Sequence, residues 1–183
     1  MSILSDILSD LASLFFPPRC AVCGEPLVRG ERCVCTLCRA TAPLTGYWRE
    51  ADNPVLRKCW GLVPVERASG FLFFVHGSGW RRLIHSFKYR GAWRTAREMG
   101  VWYGRCLRES GLYDGIDVVV PLPLHPFKRC RRGYNRHILL VDDVMTTGST
   151  LFSCASEILR AVPGCRISLA ALAVSRRELG VRE

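Results

Sequence analysis

Two sets of residues have the types and spacing to do chemistry. The first lies in residues 137–150, His-Ile-Leu-Leu-Val-Asp-Asp-Val-Met-Thr-Thr-Gly-Ser-Thr. Asp142 and Asp143 place paired carboxylates where they can accept from sugar hydroxyls or hold a hard cation. Thr146, Thr147, Gly148, Ser149 and Thr150 follow as a small, hydroxyl-rich turn. Free backbone N–H groups at a helix start suit a phosphate, and Gly148 lets the backbone come close. An ordinary helix cap needs one oxygen-bearing residue, whereas this loop has six. The second set is Cys20-Ala-Val-Cys23-Gly24 with Cys35-Thr-Leu-Cys38. Two such knuckles can deliver four thiolates to one tetrahedral zinc, and four thiolates leave no open position for catalysis. Cys33 competes with Cys35 for the third place. Cys59, Cys106, Cys130, Cys154 and Cys165 are isolated and read as plain thiols.

The elements that must position these groups follow from periodicity. Residues 138–141 are a short apolar run of the kind that forms a buried strand. It delivers Asp142 and Asp143 to the carboxyl end of a parallel sheet, where ligands bind in such folds. Residues 149–162 then read as a helix with Leu151, Ala155, Ile158, Leu159 and Val162 inward, stopped by Pro163-Gly164. A final strand is predicted over 166–174. Upstream, 70–75 reads as a strand, and 80–89 as a helix with Trp80, Leu83, Ile84 and Phe87 on one face. Residues 93–109 read as a second amphipathic helix. Residues 117–124 read as a strand that runs into a Pro-stiffened basic loop. That loop holds five cations within nine residues (Lys128, Arg129, Arg131, Arg132, Arg136), able to clamp a pyrophosphate through guanidinium forks. The N-terminal stretch 3–15 has helical apolar spacing ended by Pro17-Pro18, and the poorly periodic 41–60 reads as a linker.

The acid pair and hydroxyl turn resemble the phosphoribosyl pyrophosphate loop of type I phosphoribosyltransferases. The whole order of motifs resembles the ComF family of competence-associated proteins, which carry an N-terminal zinc finger. It comprises the four-cysteine knuckle, Phe-Lys-Tyr-Arg-Gly, Val-Pro-Leu-Pro-Leu-His, Arg-Arg-Gly-Tyr-Asn and Val-Asp-Asp-Val-Met-Thr-Thr-Gly-Ser-Thr. The resemblance spans Cys20 to about Gly180. It implies an α/β fold, a type I phosphoribosyltransferase-like parallel sheet flanked by helices, with a small four-cysteine zinc module. The expected organisation is an amphipathic helix over 1–18, the zinc module over 19–45 and the phosphoribosyltransferase-like domain over 60–183.

By the same resemblance, Asp142 and Asp143 hold the ribose hydroxyls and serve as catalytic residues. Residues 142–150, Val144 and Met145 included, bind phosphoribosyl pyrophosphate. Arg129, Arg131, Arg132 and Lys88 take the pyrophosphate, Cys20, Cys23, Cys35 and Cys38 take structural zinc, and Mg2+ accompanies the substrate. The family normally continues past Arg-Gly-Tyr-Asn with a helix and a hairpin, so a segment of several tens of residues is expected to be absent between 136 and 137.

Bulk properties set the outer limits. Hydrophobic content of 49% supports a globular core, and a net charge of +10 favours anionic partners. No run reaches the roughly 20 apolar residues of a membrane span. Asp6 and Asp10, without an early basic cluster, argue against a signal peptide. The expectation is a cytoplasmic protein, peripheral to the inner membrane at most, with its cysteines on metal rather than in disulfides. Two functions fit: a phosphoribosyltransferase linked to DNA uptake or nucleotide metabolism, or a non-catalytic binder of single-stranded DNA or of a DNA-uptake helicase. Trp80, Tyr89, Trp93 and Tyr134 lie near the cations and suit either base stacking or the core.

Overall fold

Four strands, β1 (Arg67–Phe73), β2 (Val118–Pro121), β3 (His137–Met145) and β4 (Arg166–Val174), form one all-parallel sheet in the order β1-β4-β3-β2. This is a computed structural model, and it describes residues 17–89, 92–122 and 136–181. The expected helix over 3–15 lies outside the described residues. The helices are α1 (Thr36–Ala40), α2 (Pro54–Arg57), α3 (Gly79–Tyr89), α4 (Trp93–Glu109) and α5 (Ser149–Ala161). The α/β class with a parallel sheet, flanking helices and an N-terminal four-cysteine cluster is as the sequence implied.

Two compact units divide the described chain. One holds residues up to 42 together with 75–99, and the other holds 43–74 together with those from 100 on. In the sheet unit, β1 and β4 are buried at nearly every position, because a parallel sheet must be covered on both faces. Leu151 and Ala155 of α5 pack into a cluster with Leu140, Met145, Ile167, Leu169 and Val174. Elsewhere in the unit, Phe71 stacks on Tyr103 at 4.8 Å between centroids and meets Trp102 edge-on at 5.0 Å. These aromatic contacts add to the area buried.

Residues 41–60 are not a linker. Tyr47, Trp48, Val55, Leu56 and Cys59 are buried, with a 3-10 turn over Tyr47–Arg49 and α2 between them. Asn53 holds this segment together. Its Oδ1 accepts from Val55 and Leu56 N–H at 3.0 and 3.1 Å, capping α2, and its Nδ2 donates to the Ala68 carbonyl on β1 at 2.9 Å. A fully buried amide is tolerated because its donors and acceptor are occupied. The polar side chain, not an apolar period, attaches the segment to the sheet.

His137 opens β3 and is 3% exposed. Its Nε2 lies 2.8 Å from Ser168 Oγ and 3.5 Å from Glu66 Oε2, while Nδ1 has no partner among the described residues. Burial lowers its pKa; Glu66 and Asp117 oppose that, Arg166 adds to it, and burial wins. A folded pKa below the ordinary value of 6.5 means that unfolding takes up a proton on the acid side. The contribution is therefore fully present above about pH 6.5 and is lost as pH falls. Denaturant midpoints of the wild type should drop between pH 7.5 and pH 5. His137→Gln should flatten that part of the slope; an unchanged slope would show that other groups set it.

Candidate functional site at the carboxyl end of β3

The predicted strand over 138–141 continues to Met145, and the reason is local. β2 ends at Pro121 opposite Val141, its last contact being Leu122 N–H to the Val141 carbonyl at 2.9 Å. A proline at 123 has no N–H with which to extend the ladder. On the other side β4 pairs onward, Asp142 with Ala171, Val144 with Ala173 and Met145 with Val174. Among the described residues, 142–145 thus have a strand neighbour only on the β4 side, and the acid pair lies beyond the end of β2.

Asp142 and Asp143 are half-buried, neither enclosed in the core nor fully in solvent. Asp142 Oδ1 accepts from Asp143 N–H at 2.8 Å, which fixes the first carboxylate against its own backbone. Beyond them Thr146, Thr147, Ser149 and Thr150 are exposed, and Gly148 is buried. Thr147 Oγ1 lies 3.2 Å from Ser149 Oγ and accepts from Ser149 N–H at 3.4 Å, closing the turn on itself. Gly148 takes the N-cap position with φ of 84°, so no side chain caps α5. The first N–H groups of a helix lack intrahelical partners; that of Ser149 is taken by Thr147 Oγ1, and Thr150 beside it lies on the exposed, hydroxyl-lined turn. The arrangement can accept hydroxyl protons on one side and donate to an anion on the other.

Of the residues predicted to line this site, Met145 is a core residue at 2% exposure and Val144 is half-buried. Met145 therefore anchors the loop from beneath. Arg129, Arg131 and Arg132 lie outside the described residues, as does the side chain of Lys88. Arg176 was missed by sequence reasoning. It follows β4, and Ser175 N–H donates to the Met145 carbonyl at 3.2 Å, so Arg176 stands at the same end of the sheet as the acids. Its guanidinium lies 4.2 Å from the Phe73 ring centroid. A cation two residues beyond the end of an apolar strand is the signal that could have found it.

A Cβ on Gly148 would stand 2.5 Å from Phe152 Cζ and 2.8 Å from Met145 Cε, in a conformation that L residues rarely adopt. Gly148→Ala should therefore destabilise the loop by about 1–2 kcal/mol, lowering the melting temperature by several degrees. A melting temperature equal to wild type would show that the turn adopts another backbone.

In the other unit, Cys20, Cys23, Cys35 and Cys38 bring their four Sγ atoms within 4.8 Å of one another. Cys23 Sγ and Cys35 Sγ are 3.8 Å apart. A tetrahedral ion with metal–sulfur bonds of about 2.3 Å needs sulfur–sulfur edges of about 3.8 Å, so the cluster fits an ion of that size. Local structure builds it. Gly24, with φ of 85°, turns the first knuckle so that Gly24 N–H reaches the Cys20 carbonyl at 2.8 Å. Cys35 caps α1, its Sγ accepting from Cys38 N–H at 3.4 Å, while Cys35 N–H donates to Cys20 Sγ at 3.3 Å. The Glu31 carboxylate ties the intervening loop by accepting from Val28 N–H, Thr36 N–H and Thr36 Oγ1.

Burial resists ionisation of Cys20, but N–H groups of Cys23, Cys35 and Val22 hold its thiolate and bring its pKa to about 6. Burial and the neighbouring cysteines push Cys38 the other way. Without a cation Cys20 and Cys38 are thus pushed in opposite directions, whereas a bound metal would hold both as thiolates. Cys33 is not part of the cluster, so the ambiguity between Cys33 and Cys35 resolves to Cys35. Among the described residues no helix is long and apolar enough to cross a membrane.

No family model, curated protein or solved structure matches this chain.

Proposed function

We propose that the chain binds phosphoribosyl pyrophosphate at the β3–α5 loop and acts as a phosphoribosyltransferase of the ComF kind. One observation carries the reading: a half-buried acid pair at the carboxyl end of a parallel strand, followed after Val144 and Met145 by an exposed hydroxyl turn that starts a helix. In this reading Asp142 and Asp143 accept hydrogen bonds from the ribose hydroxyls, and the turn 146–150 donates N–H and hydroxyl groups to the 5-phosphate. Magnesium accompanying the substrate would offset charge on the diphosphate, with Asp142 and Asp143 the carboxylates placed to hold it directly or through water. A nitrogen nucleophile or water forms the new bond at the anomeric carbon as the carbon–oxygen bond breaks, its electron pair leaving on pyrophosphate. The basic residues 128–136 supply the counter-charge to that leaving group. The four cysteines hold a structural zinc.

Titration calorimetry of the full chain with phosphoribosyl pyrophosphate and magnesium tests the reading. Saturable binding that requires magnesium, and that ribose 5-phosphate competes away, is the expected result. No heat at millimolar ligand would overturn it.

A further inference from the structure

We infer that an open groove of about 510 Å3 beside the cysteine knuckle is a second site, which binds a phosphorylated nucleoside with its ring on Trp93 and its phosphates on arginines. The groove lies wholly within the cysteine-bearing unit, so the inference is independent of the ribose-phosphate reading.

Its walls are the knuckle on one side and the first two turns of α4 on the other. Arg19, Arg32, Arg94 and Arg97 line it, with Glu98 the one acid in the lining among the described residues. Four guanidinium groups against one carboxylate leave a net charge of +3. Glu98 serves two of them, at 3.1 Å from Arg32 and 3.4 Å from Arg97, and so holds their forks side by side. Arg19 is fixed from below by its bond to the Gly24 carbonyl at 3.1 Å, in the turn of the first cysteine pair. Such planar, pre-positioned forks match phosphate oxygens.

Phosphate recognition alone would leave Trp93 unexplained. The indole is 65% exposed on the groove wall, and the Arg94 guanidinium lies 5.4 Å from its ring centroid. Leaving a large apolar ring in water forgoes burial energy, and an aromatic face bordered by cations is the surface on which nucleobases stack. The groove volume falls within the range of small-ligand sites. A purely apolar ligand would not use the arginines, and a bare anion would not use the ring. A nucleoside carrying phosphate uses both, whether free or within a single strand.

The test is fluorescence and calorimetric titration of the full metal-loaded chain with ATP, a ten-residue oligothymidylate, inorganic triphosphate and adenosine. The Asp142→Asn/Asp143→Asn variant is included so that any nucleotide held at the β3–α5 loop is separated out. ATP or the oligonucleotide should bind at least tenfold more tightly than either triphosphate or adenosine. Trp93→Ala and Arg97→Gln should each weaken that binding at least fivefold, and the double aspartate variant should leave it unchanged. Tighter binding of the oligonucleotide, with a steep salt dependence, would identify a strand as the source, and tighter binding of ATP a free nucleotide. Triphosphate binding as well as ATP, indifference to Trp93→Ala, loss of binding in the double aspartate variant, or no binding at all would each overturn the inference.

Discussion

Asp142→Asn combined with Asp143→Asn is expected to reduce affinity for phosphoribosyl pyrophosphate with magnesium by about 10²–10⁴-fold and to remove any turnover. Hydrogen bonds to charged acceptors each contribute about 1.5–3 kcal/mol; two such acceptors are neutralised, and every 1.4 kcal/mol is about a factor of ten. The exchange is nearly isosteric. The amide oxygen introduced at position 142 would still accept from the backbone N–H of residue 143, as Asp142 Oδ1 does at 2.8 Å, so the strand end keeps its shape. Both side chains are only half-buried, so neutralising them disturbs no enclosed core position. The melting temperature should therefore change little while the calorimetric signal disappears. Wild-type affinity in the double variant, with the fold intact, would mean that the acids are structural and that the ligand, if any, is bound elsewhere.

The parts of the fold that sequence shows are those where a period survives burial. α3, α4 and α5 and the strand β4 sit where the apolar spacing put them, within a residue or so at the ends. The stretch 41–60 was opaque because its core residues have no period. Tyr47, Trp48, Val55 and Cys59 come inward from turns, and the residue that fastens them, Asn53, is polar. β3 extends past its apolar run because Asp142 and Asp143, which look like a loop, interrupt it before Val144 and Met145. They remain in the ladder because β4 outlasts β2 on one side. Spacing could not choose between Cys33 and Cys35. The choice depends on which thiol caps α1 and which faces the neighbouring groove, and only the folded backbone shows that. The groove itself was invisible for a similar reason, since Arg32 and Glu98 meet across 66 positions of sequence.

Chelating the zinc proposed at the four cysteines should have the largest structural effect in the molecule, and it should fall on one unit. Among the described residues, the non-cysteine apolar side chains buried in the cysteine-bearing unit are Val22, Leu27, Trp80, Leu83, Ile84 and Met99. So small an apolar set does not offset the entropy of ordering the chain, and small modules of this kind depend on a staple. A structural zinc contributes roughly 10–16 kcal/mol of apparent binding energy in comparable peptides, and that energy is folding energy. Purified protein should contain one zinc per chain by elemental analysis, and a strong chelator should remove it with loss of the near-ultraviolet signal of Trp80, which is buried in that unit. The sheet unit has its own buried cluster, so far-ultraviolet dichroism should fall only in part. Cys38→Ser should abolish metal content, since three thiolates and a hydroxyl make a poorer tetrahedral set, whereas Cys33→Ser should leave it at one. Retention of the fold and of the Trp80 signal after complete chelation would show that the four sulfurs are held by packing alone.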